Sequence, residues 1–358
     1  MRLLLILVFL GVSHLGAQNW QSLSDYPGIA VDDASAFSIG DTAYFGAGLT
    51  SWWAPRANFF GLDLQSFQWF SIAALPVGEE RHYAAAFSTD RFGYVFGGYN
   101  GQQFLNDLWR YDPLLDQWME MSPLPDSGRS GTACFRIGDT AYFIGGKNDS
   151  NYALAEVWAY SISDDNWHSL QDFPFGNRWA ASATAMLGKG YLLFGRNEKD
   201  EYQKGFYRYN PNTNQWIHMM DFSGAGRSHA CLLSLDSLLV AGFGIDSSNH
   251  YYADWQEYDK TNQSWTSLNS IPAGGRKGGM AISTGGKLVY CTGIDAAGLW
   301  TQEAWLYTTQ LGDREVEPTE ARKLLQIVDV WGRPISAKAS GFQIWLYSDG
   351  SAEKYWMP

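Results

Sequence analysis

Six tryptophans in this chain recur at one fixed interval. They are Trp20, Trp69, Trp118, Trp167, Trp216 and Trp265, each 49 residues from the next. The following position of the series is Arg314, so the repetition ends there. A constant period of this length predicts a small structural unit that is repeated and packed against its own copies. Such a chain folds as one array, because each unit buries its apolar face only against its neighbours.

The segment from Arg129 to Leu170 shows the unit most clearly. Strands are predicted at 129–137, 140–144, 156–160 and 166–170, and Gly, Asp and Asn residues separate them. Alternating runs bounded by these residue types are typical of β-strands joined by hairpins. The repeated unit is therefore predicted to be a four-stranded antiparallel sheet.

Three further columns of residues keep the same register. The glycine column is Gly48, Gly146, Gly195, Gly244 and Gly293, with Gly98 one place late; the tyrosine column is Tyr111, Tyr160, Tyr209, Tyr258 and Tyr307; the acidic column is Asp107, Glu156, Asp254 and Glu303. The double glycine with spaced Tyr and Trp resembles the kelch repeat, between Trp20 and Leu311. This resemblance implies an all-β propeller of four-stranded blades. We interpret the three columns as structural.

The two ends of the repeat region complement each other. The last repeat supplies strands at 278–283, 287–292 and 303–308 but lacks the tryptophan strand, and residues 19–23 at the N-terminus form an isolated tryptophan strand. We predict that this N-terminal strand completes blade six and closes the ring, which removes exposed sheet edges. Residues 18–311 are thus expected to be one six-bladed propeller domain, and a monomer.

Both termini carry features typical of export. Residues 1–17 combine a basic start, a short apolar run and small residues before the predicted cleavage point, which is the pattern of a signal peptide rather than of a membrane span. Residues 312–322 form a charged linker, and a small β tail at 323–358 follows. The tail motifs at 329–333, 341–344 and 349–354 resemble the type IX secretion sorting domain of Bacteroidetes. This resemblance implies a partnership with that machinery and an extracellular or outer-membrane location.

Charge and cysteine content exclude several functions. The formal net charge is −12, which argues against a nucleic-acid partner because phosphates require a basic surface. The three cysteines are Cys134, Cys231 and Cys291, and no CxxC or paired-histidine spacing accompanies them. We therefore expect no structural metal, no disulfide framework and no cofactor.

Arginines open the innermost strands of five blades. They are Arg129, Arg178, Arg227 and Arg276, with Arg81 one place late, whereas blade one has Val31 and Asp32 there. We expect these guanidinium groups to converge at one mouth of the channel, together with Lys147 and Arg196 from neighbouring loops. Arginine binds carboxylates and phosphates in a bidentate manner, so the mouth is predicted to bind an acidic ligand. The alternative is that each arginine pairs with an acidic or carbonyl group of a neighbouring blade.

Several aromatic residues lie outside the packing columns. Trp52, Trp53 and Trp179 are the predicted stacking surface beside the arginines, since loops carry function more often than strands. In the kelch adaptors of ubiquitin ligases, arginines at this strand start help to bind an acidic peptide, and Arg129 and Arg227 match that position. We therefore predict a non-enzymatic binding module for an acidic glycan or a surface protein.

Two other functions stay open. A copper radical oxidase of the galactose oxidase type is disfavoured, because that family has seven blades and a copper-ligand set that this chain lacks. The sialic acid mutarotases are exported six-bladed kelch enzymes that use a glutamate and an arginine in the loop after the second strand of blade four. In this chain that loop offers Glu198 and Glu201 as catalytic candidates, without the matching arginine spacing. A structural scaffold for protein interactions is the second alternative.

Overall fold

The computed structural model of this chain describes residues 19–308, 324–329, 333–336, 340–347 and 352–357. Two compact units make up the chain, residues 1–309 and 310–358. The predicted signal peptide at 1–17 and linker at 312–322 lie outside the described residues. Among the described residues, no helix has the length and apolar character needed to cross a membrane.

The first unit contains six antiparallel sheets of four strands each. Blades 1 to 3 consist of Ser35–Ile39, Thr42–Gly46, Phe59–Asp63 and Trp69–Ser71; Ala85–Ser88, Gly93–Phe96, Leu108–Asp112 and Gln117–Met121; Ala133–Ile137, Thr140–Ile144, Val157–Ser161 and Asn166–Ser169. Blades 4 and 5 consist of Ser182–Met186, Lys189–Leu193, Tyr207–Asn210 and Gln215–His218; Cys231–Leu235, Leu238–Gly242, Trp255–Asp259 and Ser264–Leu268. The predicted all-β, six-bladed propeller is confirmed.

Blade 6 is assembled from both ends of the repeat region. Its strands are Met280–Thr284, Lys287–Cys291, Ala304–Thr308 and the N-terminal Trp20–Ser22. The N-terminal strand pairs antiparallel with Ala304–Thr308, with Trp20 opposite Tyr307. The predicted closure by the N-terminal strand is therefore confirmed. A short pair, Arg276–Lys277 with Ile294–Asp295, lies beside this blade.

The first strands of the blades surround the propeller axis. Each contacts the first strand of the next blade, which makes it the innermost strand of its sheet. The hydrophobic core is divided into clusters between neighbouring blades; one of them joins Trp20 to Phe243 and Trp255 of blade 5. Burial of apolar surface between adjacent sheets is the main stabilising term for such an array.

The described part of the second unit is a three-stranded antiparallel sheet. Its strands are Leu324–Val328, Gly341–Tyr347 and Ala352–Met357, and the central strand pairs with both of the others. Ile327 and Val328 are buried, whereas Phe342 and Trp356 are exposed and in edge-to-face contact. The tail is thus a small β unit in its described residues.

Candidate functional site at the propeller axis

Backbone hydrogen bonds define the equivalent arginine position in all six blades. The glycine column of one blade donates its N–H to the carbonyl oxygen of the residue that opens the next blade, through the pairs Gly48–Arg81, Gly98–Arg129, Gly146–Arg178, Gly195–Arg227, Gly244–Arg276 and Gly293–Val31. Val31 therefore occupies the arginine position of blade 1. The shifts of Arg81 and Gly98 in sequence disappear in the fold.

The arginines are buried, and four of them pair with carboxylates of their own blade. Arg227 Nη1 and Nη2 lie 2.5 and 2.7 Å from the two oxygens of Asp254, and Arg81 binds Asp107 in the same bidentate way at 2.8 Å. Arg129 pairs with Glu156 at 2.8 Å, and Arg276 pairs with Glu303. The acidic column thus neutralises the arginine column.

The expectation that these guanidinium groups converge at the channel mouth is wrong. Their partners open the third strand of each sheet, so the side chains extend away from the axis and into the blade. A buried arginine requires a paired charge or hydrogen-bond acceptors, and the acidic column supplies them. The pairs lie within a blade, not between blades as the alternative interpretation had it. Arg178 lacks a carboxylate because Gly205 stands in the acidic column; its guanidinium donates to the carbonyl oxygen of Asn177 and to the hydroxyl of Tyr207.

A ring of residues with left-handed backbone conformation surrounds the axis instead. Each lies two positions after the arginine position and has φ between 50° and 66°: Asp33, Tyr83, Gly131, Ala180, His229 and Gly278. The amide of a ring member donates a hydrogen bond of 2.7–3.1 Å to the carbonyl oxygen of the ring member in the preceding blade. The donor and acceptor pairs are Asp33 to Gly278, Tyr83 to Asp33, Gly131 to Tyr83, Ala180 to Gly131 and Gly278 to His229. This ring, called here the axial ring, ties neighbouring blades together.

The axial ring lines a cavity of about 140 Å³. Glycine and alanine at three of the six ring positions leave the space open, while Asp33, Tyr83 and His229 contribute functional groups. His229 Nε2 lies 3.3 Å from the Tyr83 hydroxyl and 3.9 Å from Asp33 Oδ1. Three titratable side chains from blades 1, 2 and 5 therefore meet at the axis. Asp33, Tyr83 and His229 are called here the triad.

Hydrogen bonds connect this triad to polar residues on both sides. His229 Nδ1 lies 2.8 Å from Ser228 Oγ, which accepts a hydrogen bond from Arg196 Nε at 3.1 Å. The Asp33 carboxyl also lies near the Tyr83 hydroxyl and beside the Asp32 carboxylate, close enough for both to influence its titration. A chain of hydrogen bonds from Arg196 through Ser228 and His229 to Tyr83 therefore crosses the axis.

Burial shifts the titration of the triad towards neutral forms. Loss of solvent raises the pKa of Asp33 well above its ordinary value, and the neighbouring Asp32 carboxylate raises it further. Loss of solvent lowers the pKa of His229 well below its ordinary value, and the nearby Lys277 charge adds to this effect. Burial likewise raises the pKa of Tyr83. A protonated carboxyl and a neutral imidazole side by side form a donor and acceptor pair for protons.

Two cations lie on the ring of Trp179 beside the triad. Lys147 Nζ is 4.0 Å from the Trp179 ring centroid, and the Arg196 guanidinium is 5.4 Å from it. The edge of Trp179 contacts Tyr83 and His229. Arg196 is paired with Asp200 at 3.0 Å, whereas Lys147 forms no ion pair with any described residue. Lys147 is thus a cation close to the rings of Tyr83 and Trp179.

The other sequence-predicted residues lie apart from the triad. Trp52 and Trp53 are 59% and 75% exposed on a blade 1 loop, and Trp53 has a φ of 63°, a strained conformation for a bulky residue. Glu198 and Glu201 are exposed on the blade 4 loop, and Glu201 accepts a hydrogen bond from Asn197. Of the predicted site residues, the fold brings together Trp179, Lys147 and Arg196.

Sequence reasoning missed Asp33, Tyr83 and His229. A signal was present, because each stands in the column that holds Gly131 and Gly278 in other blades. A side chain where the backbone favours glycine is costly and marks a position of interest. Among the described residues, no group of three histidine, cysteine or acidic side chains is placed to hold a metal ion.

Comparisons with known proteins agree with this fold. A family model described as "KLHDC2/KLHL20/DRC7 Kelch-repeats domain" matches residues 32–192. A solved structure titled "Structure of YjhT" superposes with a TM-score of 0.69 over 81% of this chain and 98% of that one, at 20% sequence identity. The chain is a six-bladed β-propeller, and its residues 32–192 match the kelch-repeat model.

Curated relatives match shorter stretches. The N-acetylneuraminate epimerase of Haemophilus influenzae is 34% identical over 122 residues, which cover 32% of this chain and 31% of the relative. The human Kelch-like protein 35 is 28% identical over 124 residues, covering 35% of this chain and 20% of that protein. The matched stretches span about a third or less of the length of these relatives.

Proposed function

We propose that this propeller binds a sugar acid at the axial cavity and interconverts its anomers. The observation that carries the proposal is the distance of 3.9 Å between His229 Nε2 and Asp33 Oδ1 in the axial cavity, where burial favours the neutral form of each side chain. The names of the curated relatives include a sugar-acid epimerase, which supports this choice of substrate class.

Anomer exchange needs one proton acceptor and one proton donor. His229 accepts the proton of the anomeric hydroxyl while Asp33 donates its proton to the ring oxygen, and the bond between the anomeric carbon and the ring oxygen breaks to leave an open-chain carbonyl. Rotation about the adjacent bond presents the other face of the carbonyl. Ring closure reverses both transfers and returns Asp33 and His229 to their starting forms, so no co-reactant is consumed.

The residues around the triad suit an acidic sugar. Lys147 would bind the carboxylate, because Lys147 forms no ion pair with any described residue. The Lys147 ammonium group lies over the ring of Trp179. The cavity of about 140 Å³ accommodates the reacting end of a sugar, with the remainder lying in the open mouth.

The test is proton NMR of N-acetylneuraminate anomers mixed with the full chain. Asp33→Asn and His229→Asn should each slow exchange by about 100-fold or more, since a positioned acid or base contributes at least that factor. Asparagine tolerates the left-handed conformation at both positions. Lys147→Met should mainly raise KM. Glu198→Gln and Glu201→Gln, on the exposed loop, are matched controls that should exchange as the original protein does.

The outcomes separate the three candidate functions. Exchange that survives both Asp33→Asn and His229→Asn would contradict the proposed mechanism. Saturation transfer to the sugar without accelerated exchange would instead support the binding module for acidic glycans. Neither signal would favour the protein-interaction scaffold.

We also propose that the chain is exported and delivered by type IX secretion. The motifs at residues 1–17 and 323–358 support this route. The test is cell fractionation of the full chain against versions lacking either segment. Removal of residues 1–17 should leave the protein inside the cell, and removal of the tail should leave it in the periplasm. Surface display of the tail-less version would contradict a sorting role.

A further inference from the structure

Blade 1 lacks both members of the arginine–carboxylate pair. Val31 occupies the arginine position, as the hydrogen bond from the Gly293 amide to its carbonyl oxygen shows at 3.0 Å. Asn58 stands in the acidic column, where its carbonyl oxygen accepts from the Ala47 amide in the same way as Asp107 accepts from Gly97. In blade 1, therefore, no arginine–carboxylate pair occupies the position that such a pair fills in blades 2, 3, 5 and 6.

A different arginine enters that space in blade 1. The Arg56 amide donates a hydrogen bond to the carbonyl oxygen of Gly48, the glycine-column residue of its own blade. The residues that do the same in the other blades are Leu105, Leu154, Gln203, Tyr252 and Thr301. Side chains of this column contact the structural arginines: the Arg227 guanidinium lies 3.6 Å above the Tyr252 ring, and Thr301 accepts a hydrogen bond from Arg276. The cation in blade 1 thus comes from the loop before the third strand.

Arg56 has no carboxylate partner among the described residues. Its Nη2 donates a hydrogen bond of 3.2 Å to the amide oxygen of Asn58. A neutral amide satisfies one donor of the guanidinium but does not balance its charge. Arg56 therefore differs from the buried arginines that meet the acidic column.

Arg56 lines a cavity of about 230 Å³ between blades 6 and 1. Tyr26 and Phe60 form an aromatic wall with their ring centroids 5.2 Å apart, and Val31, Gly28 and Asn58 are among the other lining residues. Tyr26 is 2% exposed, and its hydroxyl makes no hydrogen bond with any described residue. Burial raises the pKa of Tyr26, so the hydroxyl keeps its proton and can donate it.

We propose that this cavity is a second binding site, for a small organic carboxylate. The planar guanidinium of Arg56 would hold the carboxylate, as arginine does in bidentate pairs, and the Tyr26 hydroxyl would donate to it. The apolar part of the ligand would pack on Phe60 and Val31. The volume lies below the usual range for drug-sized ligands, so a small acid fits and a larger one does not.

Blade 4 shows why an arginine without a carboxylate is not enough. Arg178 also has no acidic partner among the described residues, but it is 3% exposed and packs against Phe173 and Tyr207. Its guanidinium donates to Asn177 and Tyr207. Blade 1 combines a charge with space, which is what a ligand needs.

The test is saturation-transfer NMR of the full chain with benzoate at millimolar concentration, and benzamide as the uncharged control. Benzoate should bind, and benzamide should bind about tenfold or more weakly, because it cannot form the charge-assisted bonds. Arg56→Gln should weaken benzoate by a similar factor. Arg91→Gln removes an exposed arginine of blade 2 and is the matched control, expected to bind as the original protein does.

A second variant tests the cavity itself. Val31→Arg combined with Asn58→Asp rebuilds the pair of the other blades, so the protein should keep its melting temperature and lose benzoate binding. N-acetylneuraminate at the axial cavity should be unaffected, which separates this proposal from the proposed function. The proposal is overturned if benzoate does not bind the original protein, if benzamide binds equally well, or if either Arg56→Gln or the double variant binds benzoate unchanged.

Discussion

A buried arginine in this propeller is tolerated where its own blade supplies acceptors. Blades 2, 3, 5 and 6 each provide a carboxylate at the start of the third strand, and blade 4 provides a tyrosine hydroxyl and a carbonyl oxygen. Blade 1 has lost the arginine and the acid together. Because a buried unpaired charge costs several kcal/mol, loss of one member without the other would be strongly destabilising.

Asp254→Asn should therefore lower the free energy of unfolding by about 2 kcal/mol, a value reduced from that of fully buried pairs because the Asp254 side chain is 31% exposed. Adding Arg227→Met should restore most of the loss, since it removes the unbalanced charge while keeping the packing volume. Urea unfolding measures both. A double variant that is less stable than Asp254→Asn would show that an unpaired Arg227 charge is not the source of the loss.

Histidine 82 should make stability depend on pH. Burial lowers the pKa of His82 to about 4, and the nearby charge of Lys147 adds to the shift. Between about pH 6.5 and 4 the unfolded chain binds a proton that the folded one does not, so stability is lost as the pH falls through this window. The loss should reach roughly 3 kcal/mol. His82→Phe keeps the ring contacts with Tyr83 and Tyr99 and should flatten this part of the pH profile in urea unfolding. An unchanged slope in that variant would exclude His82 as its source.

At the scale of the strand, the outermost strands of blades 1, 2, 3 and 6 are each hydrogen-bonded to the preceding blade. The indole N–H groups of Trp20, Trp69, Trp118 and Trp167 donate to carbonyl oxygens of Asn269, Ser24, Ala73 and Ser122 in the preceding blade. The hydroxyls of Tyr111, Tyr160 and Tyr209 donate to the turn before the outermost strand, as Tyr160 does to Asp165 at 2.6 Å. The repeat thus encodes contacts between blades as well as within them.

Trp20→Ala should open the ring at its closure. Trp20 is 3% exposed and contacts Tyr307 of its own blade and Phe243 and Trp255 of blade 5. Truncation of a buried tryptophan costs about 3–5 kcal/mol, and the hydrogen bond to Asn269 is lost as well. Ser22→Ala, exposed on the same strand, is the control and should change the free energy by less than about 0.5 kcal/mol. Equal stability of the two variants would show that the N-terminal strand does not hold the ring closed.

At the scale of the molecule, the axial ring joins the blades at the centre. Its hydrogen bonds run from blade to blade, and its members share a left-handed backbone. That conformation costs a residue with a Cβ roughly 1–2 kcal/mol, so the ring stores strain at its four non-glycine positions. The strained positions include the three titratable residues of the candidate site.

Ala180→Gly should relieve this strain and raise the free energy of unfolding by about 1 kcal/mol. Gly131→Ala should lower it by more than about 1 kcal/mol, because the added Cβ would meet a carbon of the Trp179 ring at 2.9 Å. Both changes are measured by urea unfolding. A loss of stability in Ala180→Gly would mean that the alanine methyl packs favourably enough to outweigh the strain.

The repeat in the sequence was sufficient to predict the blade count, the strand order and the closure. These features depend on local patterns: a fixed period, alternating strands and turn residues recur in every copy, and an unpaired strand at each end leaves one way to complete the ring. The burial of the tyrosine column also follows from its register.

The side-chain arrangement at the axis depended on the tertiary structure. The sequence established that arginines and acids recur in register, but the direction in which each arginine extends is decided by which carboxylate the folded sheet brings within reach. Asp33, Tyr83 and His229 are far apart in the chain and meet only because the propeller closes, and their neutral forms are favoured because closure removes water from them. Period and pattern are properties of the chain, whereas distance and burial belong to the fold.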